Sequence, residues 1–152
     1  MLIYALIPAR SDSKRIKNKN ILKLNNKNLI EISVEQALKT KEIDKVFVST
    51  DSKKYQKISI AAGALAPYLR KKKISKDFST DLECFKDFLY QLKKKKIKIP
   101  DIIIHLRATY PIREPGLISK CIIKFLKLKN KADSLRTIFK LKENIQKMWL
   151  LD

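Results

Sequence analysis

A chain of 152 residues with 45% hydrophobic side chains can bury one domain's core, which excludes a disordered polypeptide. Its 35 Lys and Arg against 15 Asp and Glu give a formal charge of +20, a field that draws polyanions such as nucleotides, nucleic acid or an anionic membrane surface. Only six of those 35 cations are Arg and only two residues are Gly, a mixture that reads as chain-wide drift toward Lys, Ile and Asn, with most of the charge on a solvated surface.

The elements follow in order. LIYALI (2–7) is a continuous apolar run of strand length, suited to the centre of a sheet covered on both faces. A basic, turn-forming loop follows over 8–20. Ile30, Val34, Ala37 and Leu38 then recur at helical spacing and predict an amphipathic helix over 28–39. KVFVS (45–49) is a second strand, and Ser52 is placed to cap a short helix after it. The lysines at 71–73 read as a loop. Thr80 and Glu83 form a capping box, followed by an apolar stripe of Leu82, Phe85, Leu89 and Leu92, and the lysines at 93–96 meet the negative end of that helix's dipole. DIIIHL (101–106) is a third buried strand, Pro115 opens a helix carrying Ile118, Cys121, Ile122 and Phe125, and SLRTIF (134–139) is a fourth strand.

The β-α-β-α order predicts an α/β fold, a three-layer αβα sandwich with a mostly parallel sheet, as one nucleotide-binding domain over 1–152. Ligands of such sheets collect at the carboxyl ends of the strands, here 8–20, 50–52 and 107–113. Cys84 and Cys121 are too few for a disulfide framework or zinc site, and both fall on apolar helix faces as core. With no leader-like start and no run near the roughly 18 apolar residues that span a membrane, a soluble protein of the reducing cytoplasm is expected.

The loop IPARSDSKRIKNKN (7–20) concentrates the chemistry. Arg10, Lys14, Arg15, Lys17 and Lys19 supply charge, while Ser13, Asn18 and Asn20 supply neutral donors. A triphosphate needs both: cations to neutralise it and short polar groups to orient it. There is no GxxxxGK[ST] and no Gly-rich dinucleotide fingerprint. By charge alone the loop is only suggestive and reads more as a solvated basic turn than as a functional site. His105 reads as a strand residue more than a general base, and Asp51 as either a nucleotide or metal contact or a turn-forming cap. Thr80 has an equal claim as a plain N-cap. Trp149 and Tyr110 read as packing, and Pro111 and Arg113 as shapers of the turn after the third strand.

The same loop resembles the signature of the acylneuraminate cytidylyltransferase family, IPAR-x-x-SK-x-x-x-x-KN, onto which Ala9, Arg10, Ser13, Lys14, Lys19 and Asn20 map. Matching segments follow in order: VSTDS (48–52), YLRKKKIS (68–75) with Arg70 in the arginine's place, DFSTD (77–81), HLRATYPIR (105–113), ADSLRTI and KMW (147–149). The resemblance implies a Rossmann-like fold of the nucleotide-diphospho-sugar transferase type. It also implies an enzyme that condenses CTP with a nine-carbon 2-keto sugar acid of the sialic, legionaminic or pseudaminic type, using Mg²⁺, for cell-surface polysaccharide. It assigns Arg10 and Lys19 to the triphosphate, as stabilisers of the transition state, and Ser13 and Lys14 to the loop's shape. Asn20, Arg70, Ser79, Thr80 and Asp81 would lie about the cytidine, and Arg107 at the nucleotide–sugar junction.

Departures from the family pattern carry their own expectations. Ser11 and Asp12 stand where many relatives have glycine, so a phosphate role requires Asp12 to turn aside, pair with Lys14 or Arg15, or take a metal. Arg107 stands where relatives often have Gln. Relatives also continue past the position of Asp152 into an aspartate pair for metal, part of the sugar pocket and the homodimer segment, so the chain is expected to lack that portion and its metal ligands are unassigned. A catalytically impaired nucleotide-binding domain is therefore a second reading. A basic nucleic-acid-binding protein is a third, supported by charge alone and by no recognised binding motif.

Overall fold

The central strand β1 (Ile3–Pro8) explains its own composition, because its side chains alternate between two buried faces. Ala5 and Ile7 enter one core with Ile30, Val34, Ala37, Val46, Val48 and Tyr55, while Tyr4 and Leu6 enter the other with Phe47, Tyr68, Cys84, Phe88 and Leu92. A strand covered on both sides has no polar face to show, hence the unbroken apolar run. The computed structural model describes residues 1–13, 16–128 and 131–138. Residues Met1–Ser119 form one compact unit, and a second begins at Lys120.

In the first unit β1 pairs in parallel with β4 (Lys45–Ser49) on one side and β5 (Ile102–His105) on the other, in the order β4-β1-β5. Isolated parallel bridges from Phe47 to Leu65 and from Thr50 to Leu69 extend the sheet beyond β4. Two aspartates start β1: the Ile3 N–H donates to Asp44 Oδ2 at 2.7 Å and the Leu2 N–H to Asp101 Oδ2 at 2.6 Å. Between β1 and the first helix lies a hairpin of β2 (Lys23–Leu24) and β3 (Lys27–Asn28). It turns through Asn25 and Asn26, whose φ of 48° and 64° is left-handed conformation that Asn tolerates.

Helix α1 (Leu29–Leu38) starts at Asn28, whose N–H is met by Glu31 Oε2 at 2.5 Å, and buries Ile30, Val34 and Ala37. Helix α2 (Lys53–Ala61) is capped by Ser52, as expected, and contributes Tyr55 to the same core. On the opposite face lies α3 (Asp81–Lys94), with the expected Thr80–Glu83 box at its start. The layers are therefore α1 and α2, then the parallel sheet, then α3: the predicted αβα sandwich. Helix α4 (Leu117–Leu128) begins two residues after Pro115, and Gly116 between them takes φ 75°. In the second unit, Cys121, Phe125, Leu128 and Leu135 line a shallow groove of about 470 Å³.

Three expectations are corrected. The buried stripe of α3 is Cys84, Phe88 and Leu92, with Phe85 and Leu89 at its edges, whereas Leu82 is 59% exposed because the first turn of the helix borders a cleft instead of the sheet. The third strand is only half-buried, since no strand among the described residues pairs with its second edge. Residues 134–138 form no strand and are mostly exposed, with no ladder partner to satisfy an extended backbone. Phe139, Trp149 and the KMW segment lie outside the described residues, as does Lys14.

Candidate active site

The carboxyl ends of β1 and β5 open into a cleft of about 270 Å³, where a parallel sheet places its ligands. One wall is the loop after β1, with Arg10, Ser13, Lys19 and Asn20. A second is the strap from Arg70 to Asp81 leading into α3, and a third is the end of β5, with His105, Arg107 and Thr109. The lining holds five Lys or Arg side chains against two Asp, so the cleft is locally positive, as a polyanion site requires.

The loop after β1 is built by short tethers. The Ser11 N–H donates to Asp51 Oδ1 at 2.8 Å and its hydroxyl to Asp51 Oδ2 at 2.9 Å, so both oxygens of Asp51 tie the loop to the end of β4. Asn20 is 5% exposed and its Nδ2 donates to the Arg10 carbonyl at 2.9 Å, closing the loop from its far side. Asn18 sits at φ 54° with Tyr55 Oη donating to its side-chain oxygen at 3.2 Å. Across the cleft Arg10 Nη2 lies 2.7 Å from Asp77 Oδ1. Ala9, taken from the motif as a nucleotide contact, is instead wholly buried in the core, and the loop's chemistry begins one residue later. Asp12 is exposed and is not among the residues that line the cleft, while Lys14 and Arg15 lie outside the described residues.

On the strap, Arg70 is 7% exposed, with Nε donating to Ser75 Oγ at 3.0 Å and Nη1 to Cys84 Sγ at 3.1 Å. Ser79 folds a tight turn, its hydroxyl accepting the Lys76 N–H at 3.0 Å. Thr80 Oγ1 accepts the Glu83 N–H at 3.2 Å and so serves as cap as well as cleft lining. Asp81, in the first turn of α3, meets Arg107 Nη2 at 2.6 Å and lies 4.0 Å from His105 Nδ1. The Arg107 side chain is 67% exposed, and an ion pair at that exposure holds it by about 1 kcal/mol or less. His105 packs edge-on against Phe85, in keeping with a place in the wall.

Arg113 is a brace. Its Nη2 donates to the Arg107 carbonyl at 2.9 Å, while Nη1 reaches Gln36 Oε1 and, at 3.4 Å, Ser33 Oγ. Gln36 Nε2 returns a bond to the Pro111 carbonyl at 2.7 Å, so the loop after β5 is stapled to α1. Burial lowers the pKa of the Arg113 guanidinium from its usual value, with Tyr110 opposing the shift.

The structure thus gathers Arg10, Ser13, Lys19, Asn20, Arg70, Ser79, Thr80, Asp81 and Arg107 about one cleft. Asp77 and Ser75 were not singled out from sequence, and Cys84 was read only as core. Asp77 was visible only as part of DFSTD, and nothing in its surroundings announced a partner 67 positions away. Among the described residues no three metal-ligating side chains cluster, and Asp77 and Asp81, the two carboxylates lining the cleft, each engage an arginine.

Comparison with known proteins bears on this geometry. A family model described as Cytidylyltransferase matches residues 4–150. A pseudaminic acid cytidylyltransferase of Campylobacter jejuni is 32% identical over 126 residues, covering 83% of this chain and 54% of that protein. A CMP-N,N'-diacetyllegionaminic acid synthase of Legionella pneumophila is 32% identical over 122 residues, covering 80% and 52%. The chain therefore spans about half the length of these curated relatives. Among solved structures, a CMP:2-keto-3-deoxy-manno-octonic acid synthetase complexed with CTP superposes with a TM-score of 0.68 at 22% identity, over 84% of this chain and 48% of that one, a likeness of fold.

Proposed function

This chain belongs to the cytidylyltransferase family, and from that premise we propose that its cleft binds CTP and serves the condensation of CTP with a nine-carbon 2-keto sugar acid of the pseudaminic, legionaminic or sialic type, giving a CMP-sugar and pyrophosphate. The observation that carries this reading is the convergence of Arg10, Lys19 and Asn20 from the loop after β1 with Arg70 and Thr80 from the strap, at the carboxyl ends of a parallel sheet. In the reaction the sugar's anomeric hydroxyl oxygen forms a bond to the α-phosphorus. The bond from that phosphorus to the oxygen bridging to the β-phosphate breaks, and pyrophosphate leaves while the hydroxyl proton is released. Negative charge grows on the departing oxygens, where fixed cations such as Arg10 and Lys19 lower the barrier.

Arg107 is the candidate for the sugar side of the junction, since its ion pair with Asp81 is weak enough to be exchanged for a carboxylate on the substrate. Magnesium belongs to this proposal as an ion carried on the triphosphate oxygens. The decisive assay supplies CTP, Mg²⁺ and a panel of sialic, legionaminic and pseudaminic acids, and measures pyrophosphate. Release with one of these acids is expected. Tight CTP binding with no turnover on any acid would instead leave a nucleotide-binding unit without transferase activity, and absence of CTP binding would overturn the reading.

A further inference from the structure

Arg70 is held differently from the other arginines of the cleft. Arg10 and Arg107 each face a carboxylate, whereas Arg70, at 7% exposure, has as its partners a hydroxyl and a thiol: Ser75 Oγ at 3.0 Å and Cys84 Sγ at 3.1 Å. Both partners are themselves oriented. The Ser75 hydroxyl donates to the Lys71 carbonyl at 3.0 Å, leaving its lone pairs for Arg70. The Cys84 thiol points to Ser49 Oγ at 3.7 Å, which also accepts from Tyr68 Oη at 3.3 Å. The segment is anchored in turn by the Arg70 N–H, which donates to the Thr50 carbonyl at 2.8 Å.

A buried cation is normally matched by a buried anion. Sulfur is a weak acceptor and carries no formal charge as a thiol, so it fixes the guanidinium's direction without cancelling its charge. Of the five guanidinium N–H groups, two are used in these bonds, and Arg70 lines the cleft. Three N–H groups remain for acceptors on a ligand, and the family resemblance places the cytidine beside Arg70.

We propose that Cys84 and Ser75 are positioning residues that hold the Arg70 guanidinium for the nucleoside portion of CTP. This rests on the CTP-binding reading above. Arg10 and Lys19 serve the phosphates, so the two sets are separable by comparing CTP with CMP.

The test is calorimetric titration of CTP and CMP into the full chain and its Cys84→Val, Cys84→Ser, Ser75→Ala, Arg70→Ala and Arg70→Ala/Cys84→Val variants. Cys84→Val removes the acceptor and keeps an apolar side chain, at the cost of slightly more volume. It is expected to weaken CTP and CMP by the same factor, roughly 3- to 10-fold for one lost hydrogen bond. Cys84→Ser, which restores an acceptor, recovers most of that loss. In the Arg70→Ala background Cys84→Val adds nothing further, the non-additivity that marks residues acting through one another. An equal penalty with and without Arg70, or a loss for CTP that spares CMP, would overturn the proposal.

A nucleotide-free arm uses NMR of the Arg70 Nε–H. The signal should be resolved and slow to exchange in the unaltered chain and should move in Cys84→Val and Ser75→Ala; a signal indifferent to both substitutions overturns the anchoring. If the unaltered chain binds neither nucleotide, the CTP reading fails, and the NMR arm decides whether these residues hold Arg70.

Discussion

Arg10 and Lys19 stand on the same loop, but Arg10 is already engaged by Asp77 at 2.7 Å. A triphosphate approaching Arg10 therefore exchanges one oxygen anion for another, and the gain is the difference between them. Loss of a charge-assisted contact costs on the order of 1.5–3 kcal/mol, so Arg10→Ala and Lys19→Ala are each expected to weaken CTP by about that much while CMP binding falls less. Equal losses for both nucleotides, read by titration, would remove these side chains from the phosphates. At this scale the sequence was partly legible. The order of Arg10, Ser13, Lys19 and Asn20 behind an apolar strand marked the loop, because those residues are close in the chain. The partners were not legible: Asp77 for Arg10, Asp51 for Ser11 and Cys84 for Arg70 are brought together by the sheet's crossovers, and no local spacing encodes them.

Helix α3 shows what periodicity reads and what it misses. Its apolar residues repeat at three- and four-residue intervals, so a helix was evident, but two overlapping stripes satisfy the same pattern, one starting at Leu82 and one at Cys84. Contact with Tyr4, Leu6 and Phe47 selects the second. Phe88→Ala is accordingly expected to destabilise the fold by roughly 3–5 kcal/mol, whereas Leu82→Ala should fall within about 0.5 kcal/mol of the unaltered protein, both read by urea denaturation. Comparable losses at the two positions would mean that α3 lies rotated from the position described. The β2–β3 hairpin escaped notice for a related reason. Strands of two residues are too short to alternate, and the only signal was the Asn25–Asn26 turn itself.

Across the molecule, three buried tyrosines respond to alkali together. Burial pushes the Tyr4 phenol up, with Asp44 adding to the effect, and does the same to Tyr55 with Asp51. For Tyr68 burial drives a larger rise, only partly opposed by its hydrogen bond to Ser49. A folded-state pKa above the unfolded value near 10 means that the native state binds the proton more tightly. The associated stability is thus complete below about pH 10 and is lost as the pH rises further. Denaturation curves measured from about pH 9 to 11 should show this decline, and Tyr68→Phe should make it shallower; an unchanged slope would discount Tyr68.

The alternation along β1 has a consequence that reaches beyond the core. Tyr4 on one face and Ala5 on the other differ so much in bulk that a slip of one residue would drive the Tyr4 ring into the space shaped for a methyl group. Such a slip would also point Arg10 to the wrong side of the sheet, since it follows two residues after Pro8, where β1 is still in register with Ser49. The register of β1 therefore reaches past the core: it fixes where the loop begins, and the tethers to Asp51 and Asn20 carry that placement on to Arg10.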